Sequence, residues 1–436
     1  MLYKSLNGDK TQVDFKTAVL QSLAKDKGLF YPTQIPTIDP EILENFRNLP
    51  LNQVAYEVIK GFVGDSIPKE VLEKIIEETL NFPTPVVPIE NQQVFALELF
   101  HGPTMAFKDV GARFMARCLG YFLQGTNQKT TVLVATSGDT GGAVADGFYK
   151  VDGINVIILY PSGKVSPLQE KQLTSLGANI KAIEVKGTFD DCQDMVKQAF
   201  LDDSINQKYA LTSANSINVA RWLPQMFYYI SALQQVPEGK KAVFSVPSGN
   251  FGNICAAMML QNLGFPISHF IASTNANNVV TQYLSSEVYQ PKPTVATISN
   301  AMDVSSPSNF IRIQTLYQDF PNLQKHLSSY SFSDEKTREV MREVFAESNY
   351  TLDPHGAVAF LGLKKYLETQ NDTTLYPIFL ETAHPIKFVE VVEETLSHKV
   401  AMPSEMEELM ERLKVSRVIS PNYADFVLAL EELLSV

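Results

Sequence analysis

Three stretches of this 436-residue chain place a reactive or donor-rich residue beside glycine where the pattern changes from strand to helix. The first is His101 to Met115, HGPTMAFKDVGARFM, with Lys108 at the change. His101-Gly102-Pro103-Thr104 cannot easily continue a helix. From Asp109 onward Val110, Phe114, Met115, Leu119 and Phe122 recur at helical spacing. Asp109 is the expected N-cap, its carboxylate suited to the positive end of the helix. A helix start and apolar neighbours would lower the pKa of Lys108, as an amine needs before it forms a Schiff base. Standing alone, Lys108 reads more readily as one of many surface lysines.

The second stretch is Ser248-Gly249-Asn250-Phe251-Gly252-Asn253. Its glycines let the backbone approach a ligand, and the free amides of the following helix favour an anion. It has the form of a phosphate cradle. It lacks the Gly-Lys-Ser/Thr ending of a nucleotide-triphosphate loop and the three-glycine dinucleotide fingerprint. The third is Thr136-Ser137-Gly138-Asp139-Thr140-Gly141-Gly142, whose hydroxyls and amides suit a carboxylate. Either loop, by itself, also fits an ordinary tight turn. Thr382 ends a later strand and places a neutral hydroxyl near the same region.

The elements that position these residues follow from periodicity. Residues 14–32 read as a helix and turn, and 40–62 and 68–80 as further helices. Asn81 to Pro85 breaks the pattern. Strands are expected at 95–100, 130–135, 155–160, 181–185, 210–212, 242–246, 269–272 and 376–380. Helices are expected at 143–149, 190–200, 254–263, 335–348 and 356–369. Strands alternating with helices predict mainly parallel sheets with helices on both faces. The fold class is α/β: a helical N-terminal subdomain (1–85), then two parallel-sheet α/β domains (86–235 and 236–436) with a cleft between them. Ligands in such folds sit beyond the carboxyl ends of the strands, where these loops fall.

Bulk composition narrows the function. Charged residues are 19% and hydrophobic residues 45%, as in a folded globular protein, and the formal net charge is −12. That charge disfavours nonspecific nucleic-acid or anionic-membrane partners. Cys118, Cys192 and Cys255 form no zinc spacing or disulfide framework, and the six histidines form no metal motif. With no signal-peptide pattern and no stretch near about 18 apolar residues, a cytoplasmic enzyme without a metal is expected.

Taken in order, FKTAVLQSLAKDKGLFYP, LFHGPTMAFKD, ATSGDTGGA, YPSGKVSPLQEKQ, SANSINVARWLPQ, VPSGNFGNI, ISNAMDVSSPSNF and ETAHPIKF resemble the fold type II pyridoxal-phosphate enzymes, the family of the tryptophan synthase β subunit. Within it they are most similar to the long microbial and fungal threonine synthases. Asp139 stands where many fold type II members have Asn, which agrees with that branch. The resemblance implies pyridoxal 5'-phosphate as cofactor and Lys108 as the catalytic Schiff-base lysine and proton shuttle. It implies that Gly249, Asn250, Phe251, Gly252 and Asn253 bind the cofactor phosphate and that Thr382 faces the pyridine nitrogen. Ser137, Gly138, Asp139 and Thr140 would bind the substrate carboxylate or flank the cofactor ring, Asp139 being assigned to the cofactor. Lys164, Ser166, Asn215, Asn218 and Arg221 match the set around a substrate phosphate, although Asn215 and Asn218 serve equally well as helix caps.

The implied substrate is O-phospho-L-homoserine, converted with water to threonine and phosphate. A sister dehydratase would have no need of a phosphate set near Lys164 and Arg221. A degenerate, ligand-binding homologue would be expected to have lost Lys108, which is intact. Oligomeric state is not legible in the sequence.

Overall fold

The computed structural model describes residues 1–127 and 129–435. The chain opens with three short strands, β1 (Leu2–Ser5), β2 (Val13–Asp14) and β3 (Phe30–Pro32), and next adds β4 (Val86–Ile89) and β5 (Val94–Glu98). There follow β6 (Thr130–Ala135), β7 (Ile154–Pro161), β8 (Ile180–Val185) and β9 (Leu211–Ser213). The last are β10 (Lys241–Pro247), β11 (Ile267–Thr274), β12 (Leu327–Ser331), β13 (Leu375–Glu381) and β14 (Arg417–Ile419).

These strands form two large sheets and one small one. The six-stranded sheet has the order β12-β11-β10-β13-β5-β4, and the five-stranded sheet β14-β8-β7-β6-β9. Every pairing in them is parallel except β4 with β5. Strand β6 is buried at all its residues, as expected where helices cover both faces of a parallel sheet. The α/β architecture therefore agrees with the periodicity. No described helix is long and apolar enough to cross a membrane.

Sheet membership does not follow the expected boundaries. Strand β5 pairs with β13 and β4 with β5, so these strands just after residue 85 belong to the sheet built mostly from residues beyond 236. Strand β14 crosses the other way and pairs with β8. Pairing is decided in space, and nothing in the periodicity of a strand records its neighbour. The N-terminal region contains helices, as expected, and also the antiparallel sheet β2-β1-β3.

Local chemistry moves several helix ends. The helix expected over 40–62 is two, Pro40–Asn45 and Leu51–Val63, with Pro50 at the second N-cap. Proline removes a backbone donor and biases the residue before it away from helix, so the pattern is interrupted there. The first helix, Phe15–Gln21, ends at Ser22 in a positive-φ conformation (φ 62°), well before Gly28. The helix after the third stretch begins at Asp139, not Ala143.

Candidate active site

Lys108 is the first residue of the helix Lys108–Leu123. Asp109 is not the N-cap. Its buried carboxylate turns back to the loop and accepts bonds from the Thr104 amide, at 2.9 Å, and from the Thr104 hydroxyl. The loop is thereby closed onto the helix it precedes. Its other side is zipped to the end of β13: the Phe107 amide donates to the Thr382 carbonyl at 2.8 Å, and the His384 amide to the Met105 carbonyl at 3.0 Å. The Tyr228 hydroxyl donates to the Phe107 carbonyl. These bonds fix Lys108 beside Thr382, although the two lie far apart in sequence. Burial, and then the nearby Arg221 guanidinium, pull the Lys108 amine down to about 8. That raises its neutral fraction near neutral pH.

A cavity of about 1210 Å³ opens at these strand ends. Lys108, Ser137, Asp139, Thr140, Asn215, Arg221, Thr382 and residues 249–253 all line it, as do Ser216, Gln225, Met302 and His355. The structure thus brings together most of the residues picked from sequence. Lys164, Ser166, Gly138 and Asn218 are outside the lining. Lys164 is exposed. Ser166 caps the helix Pro167–Thr174 in a capping box with Gln169. Asn218 is fully buried and caps the short helix Val219–Trp222, while its amide donates to the Val19 and Ser213 carbonyls and the Ser22 hydroxyl. Of the two asparagines offered as caps or ligands, Asn218 is a cap and Asn215 faces the cavity.

The loop after β10 has the form of an anion cradle. A Cβ on Gly249 would lie 2.7 Å from the Met302 Cα, and one on Gly252 would lie 3.0 Å from the Ser216 Cβ. Gly249 therefore needs glycine for space, while a side chain at Gly252 would press on that of Ser216. The left-handed residue in the loop is Phe251 (φ 59°), not either glycine. A bulky residue held there costs about 1–3 kcal/mol, the kind of strain that collects at ligand sites. Asn250 is committed to the surroundings: its amide donates to the Ser216 hydroxyl at 3.1 Å, and its Oδ1 accepts from the Ser308 amide at 2.6 Å. Asn253 accepts the Tyr229 hydroxyl at 2.6 Å, but its Nδ2 is buried on the cavity wall with no protein partner. An unpartnered buried donor is costly unless a ligand accepts from it. Together with the amides at the start of the helix Gly252–Asn262, it suits a phosphate.

The loop after β6 is built differently. The Thr136 hydroxyl accepts from the Gly138 and Gly141 amides, each at 2.9 Å, so two of its donors are spent internally. Asp139 is nearly buried beside the Lys387 ammonium (2.9 Å) and accepts from the Gln169 amide at 2.9 Å. Burial alone would raise the Asp139 carboxyl, but Lys387 and Gln169 outweigh it and hold it below the usual range. Ser137 and Thr140 remain on the wall as donors.

Arg221 is nearly buried, and Gly111 makes room for it, since a Cβ there would lie 3.2 Å from the Arg221 Nε. One Nη donates to the Ala214 carbonyl, while Nε has no partner. Burial pulls its pKa down to about 10 against the opposing influence of Tyr228 and the Asp109 carboxylate nearby, and it makes no ion pair among the described residues. Sequence reasoning missed Lys387 and His355. His355 lies on the wall, with Nδ1 2.6 Å from the Asp353 carboxylate and Nε2 accepting the Ala301 amide at 3.3 Å. Lys387 lies in ETAHPIKF and His355 just before the helix expected at 356–369, but no periodic signal marks the Asp139 partner of Lys387 or turns His355 toward a cavity.

A lysine with a lowered pKa at a helix start, beside a phosphate cradle between parallel sheets, defines a pyridoxal-phosphate dependent enzyme. A family model described as "Pyridoxal-phosphate dependent enzyme" matches residues 78–376. Models described as "Threonine synthase N terminus" and "Threonine synthase, C-terminal" match residues 2–80 and 356–427. The threonine synthase of Escherichia coli (strain K12) is 42% identical over 422 residues, covering 96% of this chain and 97% of that one. A crystal structure of the E. coli threonine synthase superposes with a TM-score of 0.91 at 41% identity, covering 99% of this chain and 100% of that one. That of the PLP-bound threonine synthase from Brucella melitensis gives 0.90 at 33%, covering 100% and 98%. The chain belongs to the threonine synthase family of pyridoxal-phosphate dependent enzymes.

Proposed function

We propose that this enzyme converts O-phospho-L-homoserine and water to L-threonine and phosphate. The observation that carries the reading is Arg221: a buried guanidinium that makes no ion pair among the described residues, its Nε unpartnered, on the wall of the same cavity as Lys108. A phosphate ester supplies the missing anion, and an arginine binds it with charge-assisted bonds. Asn215 and Gln225, whose Oε1 is also unpartnered, line the cavity with it. The cofactor, when bound, supplies an electron sink for negative charge at the substrate α-carbon. Residues 249–253 would hold its phosphate, Thr382 would face its pyridine nitrogen and Asp139 would flank its ring. Lys108 would anchor it and carry protons at the substrate α- and β-carbons, for which an amine of pKa about 8 is well placed. Ser137 and Thr140 receive the substrate carboxylate. Three buried, unpaired cysteines suit a reducing, cytoplasmic compartment.

The test is parallel kinetics of Arg221→Ala on O-phosphohomoserine and on serine or threonine. Losing a charge-assisted phosphate contact costs about 2–4 kcal/mol, so kcat/KM for the phosphorylated substrate should fall roughly 30- to 1,000-fold. The slower reactions of amino acids without phosphate and the cofactor absorbance should barely change. Equal losses on both substrate types would sink the assignment.

A further inference from the structure

Arg312 is a second buried arginine without a carboxylate, and it is not on the cavity wall. Its side chain is fully buried in the helix Phe310–Tyr317. Its guanidinium stacks 4.3 Å over the Trp222 ring. Nη1 donates to the Ser216 carbonyl at 2.9 Å and to Asn309 Oδ1 at 2.6 Å. Nη2 donates to the Phe30 carbonyl at 3.1 Å and the Ile217 carbonyl at 2.7 Å. Among the described residues the ionisable groups around it are Tyr3, Tyr31 and Cys255. Burial raises all three, so they stay neutral and offer it no negative charge. A buried cation held only by neutral acceptors is costly, and its charge reaches far through the low-dielectric interior.

The group that stands to gain is one hydrogen-bond relay away. Asn309, which accepts from Arg312, donates through Nδ2 to the Asn250 carbonyl and to the Ser216 hydroxyl, both at 3.0 Å. Asn250 in turn bonds the same hydroxyl. Arg312 thus holds the back of the 248–253 loop and the 216–217 segment together, behind a cradle that contains no cation of its own. We propose that Arg312 is the positioning residue of this cradle and the buried counter-charge of the anion it holds. The inference rests on the reading of residues 249–253 as the cofactor-phosphate site. It also gives the two unpaired arginines separate tasks, Arg221 toward the substrate phosphate and Arg312 toward that of the cofactor.

The experiment compares binding of pyridoxal 5'-phosphate and of pyridoxal, which lacks the phosphate, to cofactor-free protein, by absorbance titration of the parent, Arg312→Met and Arg312→Lys. The Met variant should lower the preference for the phosphorylated form by about 10- to 100-fold, with pyridoxal affinity unchanged. The Lys variant, which keeps the charge, should retain most of that preference. Equal weakening of both ligands in the Met variant, or an undiminished preference, overturns the inference. If the Met variant does not fold, the Lys variant decides alone: folded and without the preference, it overturns the counter-charge role. A parent protein that binds both ligands alike overturns the cradle itself.

Discussion

Two strand–loop–helix units of this enzyme share a sequence pattern and do opposite things with it. After β10, the loop 248–253 leaves its donors open: Asn253 Nδ2 is unpartnered, and the helix starts at Gly252 with no side-chain cap. After β6, the loop 136–142 closes on itself, with Thr136 bonding two of its amides and Asp139 standing in the first helical turn. A helix start attracts negative charge. In the second unit the protein provides that charge as Asp139 and balances it with Lys387. In the first it provides none, and a cation lies behind instead. The cradle is therefore defined less by its glycines than by what fills the helix start, and a glycine count cannot distinguish the two.

The largest effect should come from closing the open loop. Gly249→Val places a branched side chain where even a Cβ would be 2.7 Å from backbone. Cofactor affinity, measured by absorbance titration, should fall by more than about 100-fold, since the anion site and the 300–303 segment cannot both keep their positions. A folded variant that still binds cofactor tightly would show that the anion site is elsewhere, with the loop after β6 as the first alternative.

Next in size is Lys387→Met, which unbalances the closed loop. Lys387 is fully buried and also donates to the Thr104 carbonyl at 2.7 Å and to Gln172 at 3.0 Å. Removing one partner of a buried ion pair typically costs about 3–5 kcal/mol, so the Tm should drop markedly. The pH dependence should change as well. In the parent, the folded-state Asp139 is below its ordinary value, so its contribution is present above the unfolded carboxylate range and lost as pH falls. In the variant the principal opposing partner is gone and burial dominates. The folded value should rise, and stability should then fall as pH climbs through the carboxylate range. Thermal melts across about pH 4–8, the range a shifted carboxyl samples, check the sign. A variant with the parent's pH profile would mean that Lys387 does not set the charge of Asp139.

The comparison also shows what was legible in the sequence. The strands β5–β11 and β13 were, because buried parallel strands are continuous apolar runs, with β6 and β7 the clearest, whereas the short strands β1–β4, β12 and β14 were not. Lys108, the loop 248–253 and Thr382 could be placed at strand ends from the pattern, and the fold brings them to one cavity, but the roles expected of them came only through the resemblance. The buried cations were not legible. Lys387, Arg312 and Arg221 each depend on a packing environment that local pattern does not encode, and only Arg221 was placed, through resemblance. Nor could sequence separate Asn215 from Asn218, two asparagines three residues apart of which one faces the cavity and the other holds Val19 and Ser22. The crossing of β4, β5 and β14 between sheets was hidden for the same reason, since neighbours in a sheet are chosen by space.

The smallest effect concerns Ser166, assigned from sequence to the substrate phosphate. In the fold it is an N-cap, accepting the Gln169 amide at 3.3 Å while Gln169 Oε1 accepts the Ser166 amide at 3.1 Å. The same Gln169 side chain donates to Asp139 at 2.9 Å, so Ser166 reaches the closed loop only through it. Ser166→Ala should cost about 1 kcal/mol, the usual loss for a cap. Gln169 keeps its bond to Asp139 through burial and packing, so KM for O-phosphohomoserine should stay within about twofold of the parent, less than about 0.4 kcal/mol of binding. A phosphate ligand would behave in the opposite way, leaving the Tm unchanged and raising KM by at least about tenfold for the loss of one charge-assisted bond. Thermal melts and steady-state kinetics on the one variant therefore separate cap from ligand. A raised KM at unchanged Tm would return Ser166 to the substrate and require the loop Pro161–Pro167 to close over the cavity during turnover.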